Sequence, residues 1–351
     1  MRAMVLRDGK LAVEEVATPE PGPGQVLARV LACGICGSDL HAARFLDDMI
    51  AAARASSRRN WYEVDRSRGM VMGHEFCAEV VRPGPGVEGW EVGARVTSVP
   101  VLIGQASSAT GTASIGYSHD TPGAYGEYVL MSAPLLLRVP DQVSDVIAAT
   151  TEPLAVGLHA VREARMAAGE SALVMGAGPI GLMTLACLKR EGASFVAVSE
   201  IAPERRALAQ RMGADAVIDP RSGDIEDMVE AVFPAGGLSG PAPDVVFECI
   251  GVPGTFEQAL ELVKARGRVV VVGVCMQEDR FRPMVGINKQ LSVQFVLGYT
   301  PQEYAEALGF HADGSVDVSP LVTRTVALDE LPAAFQALAD PRDCKIVYRP
   351  A

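Results

Sequence analysis

Apolar runs and amphipathic segments alternate regularly from Ser171 onward. "SALVM" is an apolar run typical of a buried strand, "LMTLACLKR" has helical character, and "SFVAVSE" is a second strand. The alternation continues through "DAVID", "IEDMVEAV", "PDVVFECIG", "TFEQALELVK", "GRVVVVG" and "LSVQFVLG". Strands that alternate with helices favour a parallel sheet. The pattern therefore predicts a doubly wound sheet of six strands over residues 153–298.

The first turn of this alternation has the spacing G-x-G-x-x-G. Its glycines are Gly176, Gly178 and Gly181, with Pro179 and Ile180 between the last two. The first glycine allows a tight bend, the second lets the backbone approach a pyrophosphate, and the third lets helix and strand pack closely. The helix that follows points its N-terminus at the phosphates. Because a strand precedes the turn and a helix follows it, we predict a dinucleotide site.

An acidic residue at the end of the second strand bears on the choice of cofactor. Glu200 has the spacing expected of a carboxylate that binds the adenosine ribose hydroxyls. A carboxylate there would repel a 2′-phosphate, so NAD is predicted and NADP is less favoured. Arg205 and Arg206 could soften this choice, although arginines in "PERRALAQR" are more often a solvated helix face. Arg205 is kept as a candidate cofactor contact.

The flanking segments follow a different pattern. In the first 152 residues, Pro-Gly turns such as "TPEPGPGQ" separate short alternating runs such as "QVLARVLACG", as in antiparallel β-structure. The tail from about residue 299 lies outside the sheet pattern and ends in the strand-like "KIVYR". We predict a β domain made of residues 1–152 and 299–351, and a dinucleotide-binding domain made of residues 153–298.

Composition narrows the class of protein. The 351 residues suit two domains, and 49% hydrophobic with 21% charged residues is typical of a globular protein. The net charge of -12 disfavours nonspecific binding to nucleic acid or an anionic membrane, so neither partner is predicted. Seven cysteines cannot all pair as disulfides within one chain. The first ten residues, "MRAMVLRDGK", lack the apolar region of a secretory signal peptide. We expect a reducing, cytoplasmic location without a Cys33–Cys36 disulfide.

Candidate metal ligands are spread over three segments. "LACGICGSDLH" contains Cys36, "MGHEFCAEV" offers His74 and Glu75, and "TEPLAVGLHA" contains Glu152. A catalytic zinc needs three protein ligands of Cys, His or carboxylate type and one open position. Cys36, His74 and Glu152 could supply them. Any long enzyme has a stray cysteine and histidine, however, and Glu152 could instead cap a helix, so spacing alone leaves both interpretations open.

Six motifs occur in order along the chain. They are "CGICGSDLH", "GHEFCAEVV", "GVEGWEVGARV", "GAYGEYV", "EPLAVGLHA" and "GAGPIGL". Together they resemble the zinc-dependent medium-chain dehydrogenase/reductase (alcohol dehydrogenase) superfamily, most closely its polyol, butanediol and threonine dehydrogenase branch. The resemblance covers essentially the whole chain. It implies an α/β fold class, with a Rossmann doubly wound parallel sheet plus a GroES-like β-barrel catalytic domain.

The resemblance also implies the metal ligands. The second cysteine of "CGIC", Cys36, and the histidine of "GHE", His74, would bind zinc, whereas Cys33 would not. In this branch Glu152 is near the metal, directly or through water, and Glu75 can approach the metal in some members. Which of the two glutamates binds in the resting state is open.

Residues that follow Cys36 would orient a ligand and carry a proton. Asp39 is expected to orient His74, because ligating imidazoles usually donate their other N–H to a carboxylate or carbonyl; the rival interpretation is a cap or turn residue. By the resemblance, Ser38 takes the proton of the alcohol and His41 passes it to solvent through the cofactor ribose. The implied reaction moves a hydride between a secondary alcohol or polyol, or its ketone, and NAD, with one catalytic zinc per chain.

Two regions depart from the family pattern. Many relatives bind a structural zinc through four closely spaced cysteines, but residues 95–125 contain none, so no structural zinc is predicted. A homodimer or homotetramer is still expected, although any subunit contact that relies on residues 95–125 is in doubt.

The polar insertion at residues 42–69 is either a solvated helix or a substrate-shaping lid. It contains Arg54, Arg58, Arg59, Trp61 and Tyr62.

Two other functions compete with this interpretation. One is a zinc-free quinone or enone reductase of the same superfamily, which Cys36 and His74 oppose because that branch has no metal to hold. The other is a non-catalytic nucleotide-binding protein, which the intact Ser38 and His41 oppose. The expected partner is a small-molecule alcohol or ketone, whose identity the sequence does not give.

Overall fold

The computed structural model describes residues 1–48, 51, 65, 68–104, 111–233, 241–338 and 340–350. The chain divides into two compact units. The first contains Met1–Glu152, His311–Asp313 and Val322–Ala351, and the second contains Pro153–Phe310 and Gly314–Leu321. Within the described residues, no helix is both long enough and apolar enough to cross a bilayer.

The N-terminal segment forms the antiparallel β-structure that its alternating runs predict. Its strands are β1 (Arg2–Arg7), β2 (Lys10–Glu15), β3 (Gln25–Gly34), β4 (Met70–Val71), β5 (Glu75–Pro83), β6 (Arg95–Ser98), β7 (Val101–Ile103), β8 (Thr112–Ser114), β9 (Tyr128–Ser132) and β10 (Leu136–Arg138). Helices α1 (Gly37–Arg44) and α2 (Asp145–Ala149) and a 3-10 helix, Ala133–Leu135, lie between these strands or follow them.

The second unit contains the predicted parallel sheet. After α3 (Thr151–Glu163), its strands are β11 (Ser171–Met175), β12 (Phe195–Ser199), β13 (Ala216–Ile218), β14 (Val245–Glu248), β15 (Arg268–Val271) and β16 (Ser292–Phe295). The helices are α4 (Pro179–Arg190), α5 (Pro203–Arg211), α6 (Ile225–Val232), α7 (Thr255–Leu262), α8 (Pro283–Lys289) and α9 (Pro301–Asp313). The spatial order β13-β12-β11-β14-β15-β16 reverses direction at β11, as in doubly wound folds that bind dinucleotides.

The C-terminal tail returns to the first unit. After a 3-10 helix at Ser319–Leu321, which belongs to the second unit, the returning tail contains strand β17 (Val322–Val326), a 3-10 helix at Leu328–Glu330, helix α10 (Leu331–Ala337) and strand β18 (Lys345–Tyr348). Strand β18 pairs antiparallel with β3 and parallel with β17. The main sheet of this unit therefore has the order β10-β6-β5-β3-β18-β17, with β9 also paired to β3. The predicted α/β fold class is confirmed.

The return to the first unit comes later than residue 299, where we expected it. Most of α9 belongs to the second unit. Its buried face includes Tyr304 and Leu308. The Oε2 atom of Glu303 lies 3.0 Å from Nδ1 of His159 in α3, which is a hydrogen-bond distance. These contacts explain the difference, because the sequence pattern of the sheet strands carries no information about where a later helix packs.

Candidate functional site

The pairing of β3 with β5 brings two distant segments together. The strands are antiparallel, and Gly34 at the end of β3 lies opposite Glu75 at the start of β5. Cys36 follows the end of one strand, and His74 precedes the start of its neighbour. This register explains how the "CGIC" and "GHE" motifs meet at one edge of the sheet.

Cys36, His74 and Glu75 form a cluster of possible metal ligands. One donor atom of each residue lies within 4.8 Å of the others. Glu152 is buried in the first turn of α3, but it is not part of this group. Cys33 is fully buried and is also outside the group. A thiolate, an imidazole and a carboxylate are ligand types of catalytic zinc sites, so the donor set fits that metal.

Glu75 already has a strong partner. Lys345 Nζ donates to Glu75 Oε1 at 2.8 Å and to Oε2 at 2.7 Å, and it also donates to the carbonyl oxygen of Ile35 at 3.0 Å. The two side chains are 1% and 0% exposed. Breaking a buried ion pair leaves an uncompensated charge, which is strongly destabilising. A carboxylate has about four lone-pair sites, so Glu75 can keep its contact with Lys345 and still offer a lone pair to a metal.

Asp39 faces His74 and is fully buried. Its Oδ1 lies 3.4 Å from His74 Nδ1, and its Oδ2 accepts a hydrogen bond from the backbone N–H of Cys36 at 3.2 Å. The distance to Nδ1 is within the range of an ion pair, but the contact is not a well-formed hydrogen bond. Asp39 thus both caps α1 and faces the imidazole, so the two rival interpretations describe one arrangement. Nε2 is the ring nitrogen left for a metal.

The charges around His74 and Asp39 determine the protonation states of these two side chains. Burial lowers the pKa of His74, but the charges of Asp39 and Cys36 outweigh burial and raise that pKa well above its ordinary value. Burial raises the pKa of Asp39, but the facing His74 and hydrogen bonds from two tyrosines outweigh it, so the pKa is lowered. A metal must displace the proton on His74, since a ligating imidazole is neutral.

Helix α1 carries the two predicted proton-carrying residues. Ser38 and His41 are three positions apart, a spacing that places side chains on one helix face. Ser38 Oγ lies 3.1 Å from Cys36 Sγ. His41 is half-buried, and burial together with the charge of Arg44 lowers the pKa of His41. A neutral imidazole at that position is able to accept a proton near pH 7.

Two tyrosines that the sequence analysis missed lie at the same place. Tyr117 Oη is 2.7 Å from Ser38 Oγ and 2.8 Å from Asp39 Oδ1, and Tyr125 Oη is 2.5 Å from Asp39 Oδ2. Burial and the charge of Asp39 raise the pKa of both phenols well above the ordinary value, so both stay protonated. Tyr125 belongs to the quoted "GAYGEYV" motif, whereas no pattern in the sequence singled out Tyr117.

The glycine-rich turn has the form that a dinucleotide requires. Gly176 has a φ of +93°, in the left-handed region that favours glycine. A Cβ at Gly181 would collide with the carbonyl oxygen of Gly176. Gly178 has open space where a Cβ would stand, and it caps α4, whose first residues are Pro179 and Ile180. The free N–H groups of that helix end can donate hydrogen bonds to a phosphate.

Glu200 follows the end of β12 and contacts this turn. Its Oε2 accepts a hydrogen bond from the N–H of Ala177, within the turn, and its Oε1 accepts one from Ala202, both at 2.8 Å. Arg206 donates to the carbonyl oxygen of Glu200 at 2.8 Å, whereas Arg205 is half-buried on α5. The structure therefore brings Glu200 to the glycine-rich turn, as its spacing predicts.

Parts of two predicted features lie outside the described residues. Of the insertion, the description covers residues 42–48, 51, 65, 68 and 69, so it omits Arg54, Arg58, Arg59, Trp61 and Tyr62. Residues 105–110 of the cysteine-free region are also outside it. The alternatives for the insertion, and the expectation of no structural zinc, stay predictions.

Comparisons with known proteins connect this geometry to a family. Residues 22–141 match the alcohol dehydrogenase GroES-like domain, and residues 179–313 match the zinc-binding dehydrogenase family. The (R,R)-butanediol dehydrogenase of Bacillus subtilis is 32% identical over 346 residues, covering 97% of this chain and 96% of the relative. The L-threonine 3-dehydrogenase of Pyrococcus furiosus is 32% identical over 347 residues, covering 95% and 93%.

Solved structures agree over the whole chain. The 2R,3R-butanediol dehydrogenase of Bacillus subtilis has a TM-score of 0.85 at 30% identity, covering 100% of this chain and 99% of that one. A Sinorhizobium meliloti structure bound to NADP has a TM-score of 0.84 at 30% identity, covering 99% of each chain. The chain belongs to the zinc-dependent medium-chain dehydrogenase/reductase superfamily of alcohol dehydrogenases. It is an oxidoreductase with a Rossmann and a GroES-like domain, so the resemblance of the six motifs is confirmed.

Proposed function

We propose that this enzyme moves a hydride between a secondary alcohol or polyol, or the corresponding ketone, and NAD, with one catalytic zinc per chain. The observation that carries the proposal is the donor cluster of Cys36, His74 and Glu75, with Ser38 beside Cys36. The similarity to butanediol and threonine dehydrogenases supports it, because those named substrates carry secondary hydroxyl groups. A zinc-free reductase of the same superfamily would have no use for such a cluster.

Cys36 and His74 would hold the zinc, with Glu75 or Glu152 as the carboxylate ligand. When bound, zinc would supply a Lewis acid for the substrate oxygen, and NAD would supply the hydride acceptor. A carboxylate in place of a second thiolate makes the ligand set harder. Asp39 supports this assignment, because its carboxylate faces His74 Nδ1 at 3.4 Å and leaves Nε2 for the metal.

Ser38 and His41 would carry the proton that the alcohol loses on oxidation. Ser38 would accept this proton from the substrate hydroxyl, since its Oγ lies beside the candidate ligand Cys36. His41, on the same helix face, would pass a proton onward to solvent. Its lowered pKa supports the role, because the imidazole is then neutral and ready to accept a proton over most of the physiological pH range.

The Cys36→Ser variant tests the metal-dependent function. We expect it to lose bound zinc and at least about 100-fold in alcohol oxidation, because Lewis-acid assistance is worth several kcal/mol. Dinucleotide binding should persist, since the glycine-rich turn belongs to the other compact unit. Elemental analysis, steady-state kinetics and dinucleotide titration measure the three quantities. The matched control is Cys33→Ala, which should keep its zinc; full zinc and activity in Cys36→Ser would disprove the assignment.

We propose NAD as the preferred cofactor on the basis of Glu200. Its carboxylate accepts one backbone hydrogen bond from Ala177 of the glycine-rich turn and one from Ala202. In that position it would accept from the ribose hydroxyls and repel a 2′-phosphate. The relative from Sinorhizobium meliloti was solved with NADP, so NADP is the alternative to test. Arg205 would contact the cofactor near the same ribose.

Replacing Glu200 by Ser should reduce the preference for NAD. Losing charge-assisted hydrogen bonds should weaken NAD by about 10- to 100-fold, while NADP improves because the repulsion is gone. Catalytic efficiency with each cofactor is the measurement. Glu204→Ser is the matched control, since Glu204 is an exposed acid on the neighbouring helix. Equal or better efficiency of the unmodified enzyme with NADP would refute the proposal.

The proton path predicts a pH dependence for His41. A protonated imidazole cannot accept a proton, so oxidation should slow as the pH falls through the pKa of His41, which lies below about 6.5. The His41→Gln variant should lose this step in the pH profile and about 10- to 100-fold in single-turnover rate. Added imidazole buffer should restore part of the rate. Superimposable profiles without buffer rescue would show that His41 carries no proton.

We also propose that the chain is a homodimer, alone or within a tetramer, joined through β16. All four residues of this edge strand are exposed, and Phe295 and Leu297 are 67% and 90% exposed. An unprotected edge strand pairs readily with a copy of itself across a two-fold axis.

Light scattering should give at least twice the 37.0 kDa chain mass, and the Leu297→Lys variant should have a lower mass in solution. Val92→Lys, at a 66% exposed site elsewhere, should not; a monomeric unmodified protein would contradict the proposal.

A further inference from the structure

Tyr117 joins two groups of the candidate site. Its Oη lies 2.7 Å from Ser38 Oγ and 2.8 Å from Asp39 Oδ1. Its ring also lies against the His74 imidazole, with 5.2 Å between the ring centroids. Both oxygen–oxygen distances are those of hydrogen bonds, and each such bond needs a proton between its two oxygens.

The protons available fix the direction of these bonds. Ionised Asp39 can only accept, whereas a phenol has one proton to donate. Tyr117 therefore donates to Asp39, because two lone pairs would otherwise face each other at 2.8 Å. The bond between Tyr117 and Ser38 must then use the proton of Ser38. Hydrogen bonds to an ionised acceptor are the stronger kind, which favours this direction.

Ser38 has a second neighbour on its other side. Its Oγ lies 3.1 Å from Cys36 Sγ, so Cys36 and Tyr117 are alternative acceptors for one hydroxyl proton. Without a bound metal, the proton of Ser38 can be directed to Cys36. A metal bound at Cys36 would withdraw charge from the thiolate and weaken it as an acceptor, so Tyr117 would take this proton. The lone pairs of Ser38 would then be left for a donor beside Cys36, which in the proposed reaction is the substrate hydroxyl.

We propose that Tyr117 is a positioning residue that sets Ser38 as a hydrogen-bond acceptor toward the substrate. The inference rests on the proposed function. It predicts that the site distinguishes a ligand that donates a proton, such as an alcohol, from one that only accepts, such as a carbonyl compound. Tyr117 comes from the region without cysteines, so that region contributes to the site through a hydroxyl group.

The test compares binding of two inert ligands rather than turnover. Trifluoroethanol, an alcohol that resists oxidation, is titrated into the zinc-loaded enzyme with NAD, and a small primary amide, a carbonyl mimic, is titrated into the enzyme with NADH. Tyr117→Phe removes one hydroxyl and keeps the ring. We expect trifluoroethanol to bind roughly 3- to 10-fold more weakly, which is the effect of one hydrogen bond, and the amide to bind equally well or better.

Tyr125→Phe is the matched control. Tyr125 is a buried phenol that also donates to Asp39, at 2.5 Å, and its Oη has no bond to Ser38 among the hydrogen bonds of the described residues. Its loss should affect both ligands by the same factor, because any effect passes through Asp39 and His74. In a Ser38→Ala background, Tyr117→Phe should no longer change the ratio of the two dissociation constants, since the hydroxyl on which it acts is gone.

The outcomes separate the two proposals. If the unmodified, zinc-loaded enzyme binds neither ligand, the proposed function fails and the inference fails with it. If it binds both, and Tyr117→Phe weakens both equally, the inference is wrong and the function stands. Unchanged binding of both ligands by Tyr117→Phe would likewise overturn the inference. Should Tyr117→Phe fail to fold, Tyr117→His, whose ring nitrogens can both donate and accept, replaces it: retained selectivity for trifluoroethanol supports the inference, and equal weakening of both ligands overturns it.

Discussion

The arrangement of the metal-ligand cluster depends on one buried carboxylate. Asp39 is fully buried, and a charge in that position is costly unless it is surrounded by donors. The donors come from separate parts of the chain: the backbone of Cys36, the imidazole of His74, and the phenols of Tyr117 and Tyr125. Satisfying this one charge therefore fixes the start of α1, the ring orientation of a proposed ligand and the hydrogen-bond partner of Ser38.

A second buried charge constrains the same cluster from the other side. Lys345 holds both carboxylate oxygens of Glu75 and comes from β18, near the end of the chain. The pairing of β18 with β3 therefore extends the sheet and also places Lys345 at the cluster. Because Glu75 is shared between Lys345 and the cluster, a metal would meet one thiolate, one imidazole and a carboxylate that already has a partner. The positive charge of Lys345 would reduce the negative charge that Glu75 offers to a metal.

Local patterns in the sequence predicted much of the fold and the choice of candidates. The βαβ alternation, the glycines around Gly178 and the position of Glu200 are short-range features, and the structure places them together as expected. Cys36 and His74 could be nominated by residue type and motif, although only the register of β3 and β5 shows that they meet.

The remaining contacts are long-range and leave no local pattern. Lys345 and Glu75 are 270 positions apart, and Tyr117 is 79 positions from Ser38. No periodicity or spacing connects such residues, so their partnership becomes visible only after the strands have paired. The assignment of α9 to the second unit has the same cause, because it follows from packing against α3 rather than from the pattern of α9 itself.

X-ray absorption at the zinc edge tests the central claim most directly. The proposed site, Cys36 with His74 and a carboxylate, predicts one zinc per chain with one sulfur neighbour at about 2.3 Å and the remaining nitrogen and oxygen neighbours at about 2.0–2.2 Å. The single sulfur signal should disappear in Cys36→Ser. A zinc surrounded by several sulfur atoms, or one without any sulfur in the unmodified enzyme, would contradict the account.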